Sequence, residues 1–201
     1  MMSRYKKILI VVLGLAMTAF LATPSAFAGP KTLPAGTKVT GNLKTGTKMT
    51  FKGTINGVPI TVTCTTFTGS GKVPAGTDVK KVNLTLPPTI KGCTDTLGGI
   101  DTIKTNQTSG KWWLSMNATA PYTMTLSMPK KGATFSSSIL SSCVITAAPT
   151  ARVGIAGSYD GTSTDTVTNA PIPTSGSGCT STSAKTSATV VLSPAPGPPP
   201  F

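Results

Sequence analysis

The chain has 201 residues, with 18 lysines and arginines against five acidic residues and no histidine, for a formal net charge of +13. All five acids are aspartate, so the commonest general base and every glutamate are missing, which argues against most acid–base catalysis. Threonine, serine and glycine are abundant and aromatic residues make up only 5%, a balance that favours strands and tight turns over helices.

At the N-terminus, Arg4, Lys6 and Lys7 precede an apolar run from Ile8 to Leu21 that leads to Ala26-Phe27-Ala28. A basic flank, an apolar stretch short for a bilayer and an A-x-A end predict a secretory signal peptide over residues 1–28. The remaining chain, Gly29 to Phe201, carries no expected transmembrane segment and is long enough for one well-buried domain. The expected location is therefore extracellular or at the cell surface.

From Lys31 to Lys48 the chain is broken by Pro34-Ala35-Gly36, Gly41-Asn42 and Thr45-Gly46, which reads as short strands and turns. "GTKMTFKGTINGVPITVTC" follows, with Asn56-Gly57 as the centre of a type I′ turn between runs of β-formers. That turn fixes the register. Ile55 faces Val58, Gly53 faces Ile60, Phe51 faces Val62 and Met49 faces Cys64, all on one apolar face. The other face pairs Thr54 with Pro59, Lys52 with Thr61, Thr50 with Thr63 and Lys48 with Thr65. Such a division predicts a hairpin lying on a core with a threonine–lysine face in water.

Further along, "VKKVNLTL" reads as a strand stopped by Pro87-Pro88, and Gly98-Gly99 as a reversal. "PYTMTLSMPKKGATFSSSI" reads as a second hairpin turning at Pro129 to Gly132, with Met128 facing Ala133 and Leu126 facing Phe135. A strand, an Asp160-Gly161 turn and another strand follow, then a last strand in "SATVVLS". The end, residues 194–201, is a Pro-rich tail expected to be disordered. Nine to eleven short strands at this spacing predict an all-β fold over residues 29–193, an antiparallel β-sandwich of immunoglobulin-like or related kind. A barrel or two smaller β-domains are the alternatives.

Cys64, Cys93, Cys143 and Cys179 read as two disulfides, because an even count behind an export signal implies an oxidising compartment. With no C-x-x-C pair and no histidine, no metal site is expected, and no cofactor motif is present. Four cysteines allow three pairings, and spacing does not choose among them. A weak repeat favours one. "ITVTCTT" leads to "PPTIKGCTDT" and "SSCVITAAP" leads to "TSGSGCTST", so two pseudo-repeats, each closing its own bridge, would join Cys64 to Cys93 and Cys143 to Cys179.

Of the basic residues after Ala28, all but Arg152 and Lys185 lie before Gly132. This asymmetry has two readings: a solubilising lysine surface, or attraction to an anionic envelope polymer or lipid headgroup. The hairpin lysines Lys48 and Lys52 are the candidate contacts. Trp112 and Trp113 are adjacent, so on a strand one points inward and the other outward, where an indole can stack on a sugar or headgroup. Asp95 and Asp101 could meet across the Gly98-Gly99 turn, although aspartates beside glycine more commonly order loops. Nucleic acid is not an expected partner, since the charge is nearly all lysine and aromatics are few.

The segments "LPAGTKVTGNLKTGT", "FKGTINGVPITVTCTTFT", "PPTIKGCTDTLGGIDTIKTN" and "VTNAPIPTSGSGCTSTSAKTSATVVLSP" resemble a group of exported, threonine-rich actinobacterial proteins of similar length. The resemblance implies secretion and a β fold and carries over no active site. The expected function is a non-enzymatic binding or structural role in the cell envelope. The alternative is a small-ligand carrier, with Met116, Met124 and Met128 lining its cleft, or a protease inhibitor offering Lys91-Gly92-Cys93 as a bridged loop.

Overall fold

The computed structural model describes residues 33–75, 81–117 and 121–194; the expected signal peptide, Asp78 and the tail beyond Pro194 lie outside them. Thirteen antiparallel strands form one hydrogen-bonded sheet, so the fold is all-β. In chain order they are β1 (Lys38–Leu43), β2 (Met49–Ile55), β3 (Val58–Lys72), β4 (Lys81–Leu84), β5 (Thr89–Asp95), β6 (Ile100–Thr105) and β7 (Trp113–Met116). Then come β8 (Thr123–Met128), β9 (Ala133–Ser137), β10 (Val144–Ala147), β11 (Val153–Tyr159), β12 (Thr164–Ser177) and β13 (Ser183–Ser193). Among the described residues no helix is long and apolar enough to cross a membrane.

The sheet closes on itself twice. One circuit runs through the second half of β3, then β4, β7, β8, β11, the first half of β12, the second half of β13 and β1, back to β3. The other runs through the first half of β3, then β5, β6, β9, β10, the second half of β12, the first half of β13 and β2. The three long strands β3, β12 and β13 are shared, and every strand has a partner on both sides, so none offers a free edge along its whole length.

Each circuit surrounds its own apolar cluster. Val39, Leu84, Trp112, Leu114, Met124 and Leu192 are among the first; Met49, Val62, Phe67 and Ile145 are in the second together with Cys64, Cys93 and Cys143. Two of the long strands reset their alternation near the midpoint. In β12 the inward set changes from Asp165 and Val167 to Ala170 and Ile172 across a bulge at Thr168 and Asn169, the latter with φ of 49°. In β3 it changes from Ile60, Val62 and Cys64 to Phe67 and Gly71, opposite Gly92 of β5. Gly92 has φ of 63°, and a Cβ there would strike the Thr65 hydroxyl, so only glycine fits.

The first hairpin has the expected register from Met49–Cys64 to Ile55–Val58, with φ of 51° at Asn56 and 79° at Gly57, as a type I′ turn requires. Only Lys48–Thr65 falls outside the ladder, because β2 begins at Met49. Both expected disulfides are present, Cys64–Cys93 between directly opposed residues of β3 and β5, and Cys143–Cys179 between the start of β10 and the β12–β13 loop.

The second expected hairpin does not form. The chain does turn, with the Gly132 amide donating to the Pro129 carbonyl, but β8 then pairs with β7 and β11 and β9 with β6 and β10. Lys131 has φ of 53° and its amide donates to Ala148, so the segment carries the chain from one circuit to the other. Periodicity had marked the inward faces correctly in kind; it says nothing about which neighbour a strand takes. Lys91, Gly92 and Cys93 likewise lie inside β5, hydrogen-bonded to β3, and not in a loop offered to a protease.

Candidate functional site

The threonine–lysine face of β2 extends into a wider surface. Lys52 stands between Thr61 of β3 and Lys185 of β13, and the next outward row is Ser187, Thr50, Thr63 and Thr94. Directly opposed like charges repel, so the Lys52–Lys185 pair is a local cost to the ladder. Lys48 is exposed at the foot of the same strand. The thirteenth strand arrives from the far end of the chain, which is why Lys185 was not legible as part of this face.

Burial of the acids sharpens the polarity. Of the described aspartates, Asp95, Asp101 and Asp165 are buried and only Asp160 is exposed, whereas every described lysine and Arg152 is exposed or half-buried. The surface is thus more positive than the formal charge implies.

Trp112 and Trp113 divide as alternation requires. Trp112 is buried in the first core and its indole N–H donates to the Asn106 carbonyl at 2.8 Å. Trp113 faces outward from β7, a strand paired on both sides, with the Lys81 ammonium 4.0 Å and the Arg152 guanidinium 3.8 Å from its ring centre. Arg152 is held there by the Lys111 carbonyl at 3.0 Å and the Ser127 hydroxyl at 3.3 Å. The outward ring is therefore a seat for two cations, a second basic patch distinct from that of Lys52; the structure does not join the two.

Asp95 and Asp101 do meet across the β5–β6 turn, beside Ser137 of β9. One Asp95 oxygen accepts from the Leu97 and Gly99 amides at 2.8 and 2.9 Å, and the other from the Ser137 hydroxyl at 2.8 Å. Burial opposes its charge, yet the Gly99, Ser137 and Leu97 donors outweigh that and hold its carboxyl below the usual range. For Asp101, burial, then the Asp95 charge, outweighs the lowering effect of Ser137 and pushes it up to about 7. The pair holds a proton and orders the turn. Both side chains are buried, and Asp101 is among the residues that line an open pocket with Lys91, Thr102 and Ile103.

A third buried acid sits in the first circuit. Asp165 is 2% exposed, lies opposite Tyr159 of β11 and Val190 of β13, and is pushed up to about 7 by burial and then by the charge of Asp160. Asp160 itself caps the β11–β12 turn: burial opposes its charge, but one oxygen accepts from the Thr162, Ser163 and Thr164 amides, which holds it well below the usual range. Asp165 lines a cavity of 80 Å³ inside the first circuit with Val39, Met124, Val167 and Leu192. A second cavity of 110 Å³ lies among Ile60, Ile103, Trp112, Met128 and Phe135, and Met49 and Ile155 line both. An aspartate alternating with Val167 after an Asp-Gly turn was the available sequence signal for this acid, since its face is the inward one.

No protein-family model, no curated protein and no solved structure matches this chain.

Proposed function

We propose that this is an exported, non-enzymatic protein of the cell envelope that binds anionic surface polymers through its outward lysine face. The observation that carries the reading is the unrelieved pairing of Lys52 with Lys185 on an outward face of threonine and serine, on a protein that hides three of its described acids. A repulsive pair that lowers stability is explained if a polyanion bridges it. Both disulfides are compatible with an oxidising compartment.

Sedimentation of the oxidised protein with isolated envelopes across a salt series tests this. Binding should weaken steeply as salt rises, because screening shortens the reach of exposed charges to about 8 Å at physiological ionic strength. At low salt, Lys52→Glu with Lys185→Glu should weaken binding by more than about tenfold, since each cation near an anionic surface contributes about 1 kcal/mol. Salt-independent binding, or a double variant that binds as well as wild type, would discard the lysine face.

The two cavities favour a second reading, a carrier of a small apolar ligand. Met124 lines the first and the fully buried Met128 the second, whereas Met116 lines neither, so the three methionines do not share one cleft.

A further inference from the structure

Inside the first circuit, all eight strands contribute to the wall of one cavity, from Val39 of β1 to Leu192 of β13. The wall is apolar, Phe67 and Met124 included, except at Ser70, Asp165 and Thr186. Thr186 is satisfied by donating to the Thr50 carbonyl at 3.2 Å. Asp165 is not: its Oδ1 is buried without a hydrogen-bond partner among the described residues. A carboxyl group taken out of water and left unpaired is expensive, and proteins seldom keep one without a use.

Water is a poor answer to that cost. A cavity of 80 Å³ has room for water, but an ordered water needs two to four polar partners and carries no charge to meet a carboxylate, and the lining offers few polar side chains besides Asp165, those of Ser70 and Thr186. A cation is a better one. No basic residue lines the cavity, and the nearest charge acting on Asp165 is another carboxylate, Asp160. The field at Oδ1 is therefore negative and unmet, next to apolar walls that reward hydrocarbon.

We infer that the first circuit binds a small aliphatic amine, its ammonium paired with Asp165 Oδ1 and its hydrocarbon part against Met124, Val167 and Leu192. The volume admits roughly three non-hydrogen atoms, since a dry cavity of about 150 Å³ accepts the six of benzene. Recognition divides between the two kinds of wall. The apolar lining selects shape and the carboxylate selects charge, and neither requires the lysine face outside. The inference rests on the carrier reading and adds to it the class of ligand.

The test titrates the oxidised, full-length protein at pH 8 with ethylamine and, separately, with ethanol, which has the same shape and no charge. Methyl resonances of Val167 and Leu192 report binding. Both probes should move those resonances saturably, with ethylamine bound about tenfold or more tightly, the difference expected of a charged over a neutral hydrogen bond. Asp165→Asn should erase that preference while leaving the ethanol response. Ala188→Ile, which adds bulk to the lining, should abolish both. If neither probe moves the methyls of wild type, the carrier reading falls together with the amine. If both bind equally, or the preference survives Asp165→Asn, the cavity is a carrier site but the amine assignment is overturned. Should Asp165→Asn fail to fold, the wild-type comparison of the two probes still decides.

Discussion

At the scale of single residues, what a side chain does here depends on which wall of a circuit it faces. Trp112 and Trp113 are neighbours in sequence, yet one supplies core and the other holds two cations. Arg152 links Trp113 to β8 through Ser127, so Arg152→Ala removes both a cation–π contact and a buried partner. The variant should lose about 1 to 2 kcal/mol in denaturant unfolding, with acrylamide quenching of Trp113 rising in a Trp112→Phe background. Unchanged quenching would show that the guanidinium does not cover the ring. The inward and outward assignment of the two tryptophans was legible in the sequence, because alternation is local. Their cations were not: Lys81 and Arg152 lie far apart in the chain and meet only once β4, β7 and β8 are side by side.

At the scale of elements, turn chemistry was the legible part. Asn56-Gly57 dictated a type I′ turn and with it the whole register of β2 on β3. Pro129 to Gly132 also turns, but its longer geometry leaves the two flanking strands to find partners in different circuits. The disulfides belong to one circuit. Cys64, Cys93 and Cys143 all sit in the second core, and Cys179 packs against it. The first core has no such staple, so the bridges tie down the half of the molecule built from β5, β6, β9 and β10. Each bridge should contribute about 3 to 4 kcal/mol, or roughly 6 to 16 °C in Tm for a chain of this size. Cys64 and Cys93 are almost fully buried, whereas Cys179 is half-buried. Mild reductant should therefore open Cys143–Cys179 first, read by alkylation and peptide mapping. Simultaneous labelling of all four cysteines would mean that the second core opens as one unit.

At the scale of the whole molecule, the sequence specified an all-β chain with two bridges, and the double closure was beyond it. The reason is physical: β1 pairs with β13 and β12 with β10 across separations that no local pattern records, and the parity breaks in β3 and β12 look in sequence like noise in the alternation. The same closure decides the response to pH, because it fixes which aspartates are inside. Asp101 and Asp165 are both raised to about 7 in the folded protein, against about 4 in an unfolded chain. The folded state thus holds more protons than the unfolded one between those values, so the contribution of both groups is full below pH 4 and is lost as pH rises towards 7. Asp95 and Asp160 are shifted the other way, and their contribution is present above pH 4 and is lost on acidification. Stability should therefore peak near pH 4 and decline on both sides, with a slope of at most about 1.4 kcal/mol per pH unit from each group. Thermal unfolding from pH 3 to 8.5 reads this directly. Asp101→Asn combined with Asp165→Asn should flatten the limb between pH 4 and 7 and leave the acid limb intact. A wild-type Tm that rises through that interval would mean that both carboxyl groups are ionised inside the folded protein, and that cations within reach already pair with them.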